Sequence, residues 1–291
     1  MMVLFIGLQV GPAFADKVYV TRDGTSRGID RANLDGSGLQ PLISTDPEGV
    51  RDIAIDLTKG KMYFTQSVTP GSNNRVRRAN LDGSGPEDLI LAGSETPTYI
   101  ALNGDKMYWT QNSTLRRANL DGSNAEIIAT GNFNGIAVAT CLNKIYWLVG
   151  GGFTEIHRAN FDGTNIEDIL TVPGESAFGG FTISVTGKMY WSAHSSTAVN
   201  LLRSANLDGT GVNIITTGPP AASIWDVTVD ETAGKLYWTL WGNPDNLQKL
   251  QRANLDGSGI EDVLTAPLNS AFMGVALDFE AAGSCPAVSV W

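Results

Sequence analysis

Asp52, Asn134 and Asp226 each stand one or two residues ahead of a short apolar stretch. Two carboxylates and an amide are hard oxygen donors of the kind a divalent cation takes. Brought together, they would suit the metal-assisted chemistry of a small-molecule hydrolase, lactonase or lyase. A second catalytic reading attaches to His194, which has Ser192, Ser195 and Ser196 close by. None of Ser192, Ser195 and Ser196 stands in a Gly-x-Ser-x-Gly elbow, which tells against a serine hydrolase there. The chain has 2 His, too few for a multi-His zinc site. The remaining candidates suit recognition rather than reaction. Arg51, Tyr99, Trp225, Trp241 and Met273 are of residue types that anchor interfaces.

What must position these residues is a repeat. Arg-Ala-Asn-Leu-Asp-Gly occurs at 31–36, 78–83, 117–122 and 252–257, with variants at 158–163 (Phe161 for Leu) and 204–209 (Ser204 for Arg). The Ala residues fall at 32, 79, 118, 159, 205 and 253, a step of 39 to 48 residues. Such a period marks stacked repeats or propeller blades.

Each period holds four segments. The first is short and apolar, as in Ile53-Ala54-Ile55 and Val227-Thr228-Val229, with small residues on one face where strands crowd toward an axis. The second reads Lys-apolar-Tyr-aromatic at 61–64, 106–109, 144–147, 188–191 and 235–238, with a weaker copy at 17–20. Aromatics on both faces of one strand imply burial between two layers. The third carries the Arg-Ala-Asn-Leu-Asp-Gly stretch and ends in a tight turn, where Gly supplies positive φ and Asp bonds its own backbone. One Asp per turn is too few for a calcium loop. The fourth is short and carries acidic residues, as an outer edge strand should.

The first period lacks its first segment, and the last period ends on one, at 275–278. The two ends complement each other. The expected fold is all-β: a six-bladed β-propeller of four-stranded blades, closed by the C-terminal strand completing the N-terminal blade. One face carries the six near-identical Asp-Gly turns. The other carries the unequal connections at 22–28, 66–75, 111–114, 149–155, 193–201 and 240–249, together with the inter-blade links. Recognition belongs on that individual face. Phe133, Phe178, Ile224 and Phe272 form one aligned column, expected to plug gaps between blades.

The motifs Tyr108-Trp109-Thr110, Tyr190-Trp191-Ser192 and Tyr237-Trp238-Thr239, with the six Arg-Ala-Asn-Leu-Asp-Gly copies, resemble the YWTD propeller family, the class B repeats of low-density-lipoprotein-receptor-like proteins. The resemblance covers about residues 17–279 and implies a six-bladed propeller, usually an extracellular binding module. The Asp that ends the family motif is absent. Its positions hold Arg22, Gln66, Gln111, Val149, Ala193 and Leu240.

A net charge of −10 argues against nucleic acid and against adhesion to an anionic membrane. Residues 1–15 read as a secretory signal peptide, 16–279 as the propeller and 280–291 as a tail. No other run is long enough to span a bilayer. Cys141 and Cys285, assigned to opposite sides of the ring, are expected as free thiols. The reading is of a secreted or periplasmic monomer, without a cofactor, that binds a protein or other extracellular ligand. Its candidate contacts are Arg51, Asp52, Tyr99, Asn134, His194, Trp225, Asp226, Trp241 and Met273. The alternative is an enzyme with a metal on Asp52, Asn134 and Asp226 at the channel mouth.

Overall fold

The computed structural model describes residues 16–278, apart from 46–47, 68–72, 198, 220–221 and 243–247. These residues form six four-stranded antiparallel sheets, the blades of a ring. Blade 1 is built from Lys17–Gly24, Gly28–Asn33 and Gln40–Ser44, with Ser270–Leu277 as its innermost strand. The remaining inner strands are Gly49–Asp56, Pro97–Asn103, Ile136–Ala139, Glu175–Ile183 and Ala222–Asp230, in blades 2 to 6. The ring is sealed as expected: Val18 pairs with Leu277, Tyr19 with Ala276 and Val20 with Val275.

The core is divided by the ring geometry. There is one cluster of buried side chains at each of the six junctions between neighbouring blades. At the closing junction, Val18 and Val20 of blade 1 meet Tyr237 and Leu250 of blade 6, with Phe272 between them. Tyr19, Tyr63, Tyr108, Tyr146, Tyr190 and Tyr237 are all buried, so the repeated Tyr is packing. Burial of a large apolar side chain contributes about 1.5–3 kcal/mol, and every junction repeats it.

The polar residues of the hexapeptide hold the turn and tie one blade to the next. The Arg guanidinium donates to the carbonyl of the following blade's Leu or Phe: Arg31 to Leu81, Arg78 to Leu120, Arg117 to Phe161 and Arg252 to Leu34, all at 2.9–3.0 Å. The Asn carboxamide accepts from the repeat's Lys, as Asn80 does from Lys61 at 2.6 Å. The Asp closes its turn: Asp82 Oδ1 accepts the Ser84 N–H at 2.9 Å and the Ser84 hydroxyl at 2.6 Å. That pair of bonds holds the Asp82 carboxyl below its usual range. Gly163 has φ +81°, and a Cβ there would stand 2.0 Å from the Ile128 carbonyl of the preceding blade. Only Gly fits so close to a neighbouring backbone.

One expectation is overturned. Cys141 is disulfide-bonded, not a free thiol. The chain has 2 Cys, and the other, Cys285, lies outside the described residues. The assignment to opposite sides of the ring ignored direction along the axis. Cys141 follows the inner strand Ile136–Ala139, in the turn Thr140–Leu142, and Asp278 follows the inner strand Ser270–Leu277. Both inner strands end at the same face, close to the axis. The proposed signal peptide at 1–15 and the tail at 280–291 also lie outside the described residues.

Candidate functional site

The inner strands run longer than their apolar stretches, and the extra length is bulged. Pairing with the second strand skips from Val50 to Ile53, from Pro97 to Ile100, from Ala177 to Phe181 and from Ile224 to Val227. The unpaired residues include Arg51, Asp52, Tyr99, Phe178, Trp225 and Asp226. A bulge leaves backbone groups without ladder partners and re-aims side chains. The Thr of the aromatic motif compensates. Its hydroxyl accepts the N–H of Asp52 (Thr65, 3.2 Å), Tyr99 (Thr110, 3.1 Å), Asp226 (Thr239, 3.1 Å) and Gly274 (Thr21, 2.8 Å). Thr65 and Thr239 then donate to the next blade, to Thr98 O at 2.8 Å and Met273 O at 2.6 Å.

Asp52 and Asp226 occupy equivalent bulges of blades 2 and 6. Asp52 accepts the N–H of Ile53 at 2.7 Å and, across the junction, that of Ile100 at 2.8 Å. Asp226 accepts from Val227 and, across the closing junction, from Val275, both at 2.8 Å. Both carboxyls line the central cavity of about 260 Å³, whose walls are the six inner strands. Burial is the main cause that raises both acids, Asp226 to about 7 and Asp52 well above its ordinary value. The Asp226 charge pushes Asp52 further in the same direction. Tyr99 reaches across from blade 3: a Cβ added to Gly179 of blade 5 would stand 3.1 Å from its hydroxyl. Burial, then the two carboxylates, raise the Tyr99 phenol, which is therefore neutral.

Asn134 does not join this group. Its Nδ2 donates to Ala177 O of blade 5 at 2.9 Å, another clip between blades. Among the described residues no group of three or more His, Cys, Asp or Glu is placed to hold a metal ion. Each oxygen of Asp52 and Asp226 already accepts one backbone N–H, so the donor set is largely committed to holding strands.

The aromatic candidates do come together. Phe178 lies 4.3 Å from His194 and 5.1 Å from Trp225, centroid to centroid, and Trp225 lies 6.0 Å from Trp241. This chain runs over blades 5 and 6 on the individual face. Trp241 is 45% exposed. Phe133, Ile224 and Phe272 are buried plugs, as their column suggests, but Phe178 is only partly buried and belongs to the aromatic chain. The signal that could have separated it was Gly179-Gly180, which adds length to its bulge. His194 Nε2 and Ser192 Oγ are both buried without a partner, so no Ser–His hydrogen bond exists. Burial lowers His194, which favours the neutral ring. Arg51 Nε donates to Ser67 Oγ at 3.1 Å, and Met273 is buried.

No family model and no curated protein matches the chain. Solved structures do. A chain in the nidogen/laminin complex is similar with a TM-score of 0.74 at 19% identity, over 93% of this chain and 100% of that one. A gluconolactonase from Xanthomonas campestris matches with a TM-score of 0.56 at 16% identity, over 77% and 83%. An oligogalacturonate lyase in complex with manganese matches with a TM-score of 0.53 at 9% identity, over 86% and 74%. The fold is a six-bladed β-propeller, like that of the chain in the nidogen/laminin complex.

Other side chains stand where the motif of the resembled family ends in Asp. Gln66 Nε2 donates to Glu48 at 2.5 Å, Gln111 Nε2 to Glu95, and Arg22 to Asp30. Gln111 also accepts from Trp109 Nε1 at 2.8 Å. Where Ala193 stands instead, Trp191 Nε1 is buried without a partner. Propellers of this architecture serve both as binding modules and as enzymes, so the fold leaves function to the site.

Proposed function

We propose that the protein is a secreted or periplasmic, non-enzymatic binding module that takes a protein or other extracellular ligand as a monomer. Its recognition surface is the individual face over blades 4 to 6, and Arg51 stands apart from it in blade 2. The observation that carries this reading is the aromatic chain Phe178–His194–Trp225–Trp241. Phe153 and Val199, in connections of the same face, are also exposed. Aromatic groups partly open to solvent on a rigid frame, with Trp241 exposed, are what interface anchors look like. The likeness to a chain of the nidogen/laminin complex supports a protein partner. The disulfide at Cys141 supports an oxidising compartment.

The test is capture on immobilised protein from an extracellular fraction, comparing wild type with Phe178→Ala and Trp225→Ala. Loss of a specific captured species in both variants, with melting temperature unaffected by EDTA, calcium or zinc, supports the reading. A metal-dependent melting temperature that disappears in Asp52→Ala and Asp226→Ala would replace it with the enzyme.

A further inference from the structure

Asp278 follows the strand that closes the ring and is buried, 2% exposed. Its carboxylate holds the start of the first strand: Oδ1 accepts the N–H of Lys17, and Oδ2 accepts the Tyr19 hydroxyl at 3.3 Å. The Asp278 N–H donates back to Lys17 O at 3.1 Å. No side-chain cation answers this charge. The Lys17 ammonium is bound to Asn33, and among the described residues no Lys, Arg or His forms an ion pair with Asp278. The other residues of the chain include no Lys, Arg or His. A buried charge left unpaired is costly. We infer that Asp278 receives the α-ammonium group that proteolytic cleavage between Ala15 and Asp16 creates, so that processing of the chain tightens the closure of the ring.

Ala13-Phe14-Ala15 has the small-x-small form after which a signal peptidase cuts. The first strand starts at Lys17, so a cut before Asp16 spares every strand. Cleavage adds one water across the Ala15–Asp16 peptide bond. Ala15 leaves as a carboxylate, and the Asp16 nitrogen, until then a neutral amide, takes up protons and becomes an ammonium. Backbone geometry keeps that nitrogen within about 3.7 Å of Lys17 N, hence within roughly 6 Å of Asp278 Oδ1. An opposite charge at that range favours the ionised carboxyl. Burial raises Asp278 to about 6, and the Asp16 carboxylate adds to the rise; Lys17 and the Tyr19 hydroxyl act against it. A raised acid loses stability as pH rises through its folded value, so lowering that value restores stability at pH 7 and changes nothing at pH 4.

This inference rests on the secreted reading above. The full chain is expressed in a host with a secretory pathway, and the N-terminus of the exported protein is sequenced. It is compared with a variant carrying Gly-Ser inserted between Ala15 and Asp16, which moves the α-amino group two residues away and alters no native residue. The exported protein should begin at Asp16. At pH 7 it should melt about 2 °C or more above the insertion variant. The difference should vanish at pH 4, where Asp278 is protonated in both forms, and also in Asp278→Asn. By carboxyl ¹³C NMR the Asp278 midpoint should lie near 6 in the insertion variant and at or below about 5 in the exported chain. An N-terminus other than Asp16 overturns the inference. Retention of the uncut chain inside the cell overturns it together with the secreted reading. Export as Asp16–Trp291, with equal melting temperatures and midpoints in the two forms, overturns it alone.

Discussion

Asp226 of blade 6 holds the N–H of Val275, a residue of the strand that closes the ring, at 2.8 Å. The same carboxylate holds Val227 in its own blade, so one side chain pins both sides of the closing junction. Asp226→Ala leaves two backbone donors without their acceptor and should cost about 2–4 kcal/mol in urea unfolding. Amide exchange at Val275 should accelerate more than exchange at Ile100, which Asp52 holds. Equal acceleration at both sites would mean that Asp226 does not act through the closing junction.

Acidity gives a second expectation. Burial raises Asp226 to about 7 and Asp278 to about 6. An acid whose value is higher in the folded chain than in the unfolded one binds more protons when folded, between the two values. Its stabilising contribution is therefore complete below the unfolded value near 4 and is lost as pH rises through the folded one. Exposed carboxylates act the other way: Glu167 is held down to about 2 by hydrogen bonds from Arg158 and then Lys144. Melting temperature should rise from pH 8 to about pH 5 and fall below about pH 4. In Asp226→Asn the slope between pH 5 and 8 should flatten, and an unchanged slope would rule the group out.

The hexapeptide Arg is expected to stabilise junctions, not to bind ligand. Arg252 Nη1 donates to Leu34 O across the closing junction at 2.9 Å, while its Nε donates to Glu261 at 2.9 Å. Lysine cannot reproduce two directions of donation from one planar group. Arg252→Lys should lose about 1–2 kcal/mol by chemical denaturation while any captured partner is retained.

Glycine substitutions should separate position from conformation. Gly60 has φ +62° and open space around its missing Cβ, so Gly60→Ala should cost about 1 kcal/mol. Gly163→Ala meets the Ile128 carbonyl of the neighbouring blade at 2.0 Å as well as φ +81°. It should cost at least about twice as much, because strands must part. Similar melting temperatures for the two variants would contradict the close approach of blades.

Alkylation reports on the disulfide. In denaturant without reductant the Cys141 peptide should remain unmodified by iodoacetamide, and dithiothreitol should make it reactive. Reduction should also lower the melting temperature, since a disulfide commonly contributes about 2–4 kcal/mol. Alkylation of Cys141 before reduction would restore the free thiol expected from placing Cys141 and Cys285 on opposite sides of the ring.

Much of this architecture was legible in one dimension because a repeat reports its own constraints six times. Lys61, Tyr63, Arg78, Asn80, Asp82 and Gly83 do the same work in blade 2 as their counterparts elsewhere, so periodicity alone separated frame from variation. Arg51, Tyr99, Trp225 and Trp241 could also be marked as departures from the repeat, and Asp52 and Asp226 as carboxylates at one level of two blades. Their purpose could not, since a carboxylate that would suit a metal in sequence turns out to hold Ile100 or Val275 by backbone N–H groups. Asn134 shared their position in the pattern but faces Ala177.

By itself, then, the amino-acid sequence determined blade number, strand order, ring closure and which face is uniform, because side-chain alternation and turn chemistry act over a few residues and repeat. Only the tertiary structure decided that Phe178 belongs with His194, Trp225 and Trp241, and that Cys141 is bonded. Those relationships join residues of different blades, or residues far apart in the chain. Their distances depend on bulges, on the tilt of strands around the axis and on which end of the ring a strand leaves, none of which a local pattern encodes.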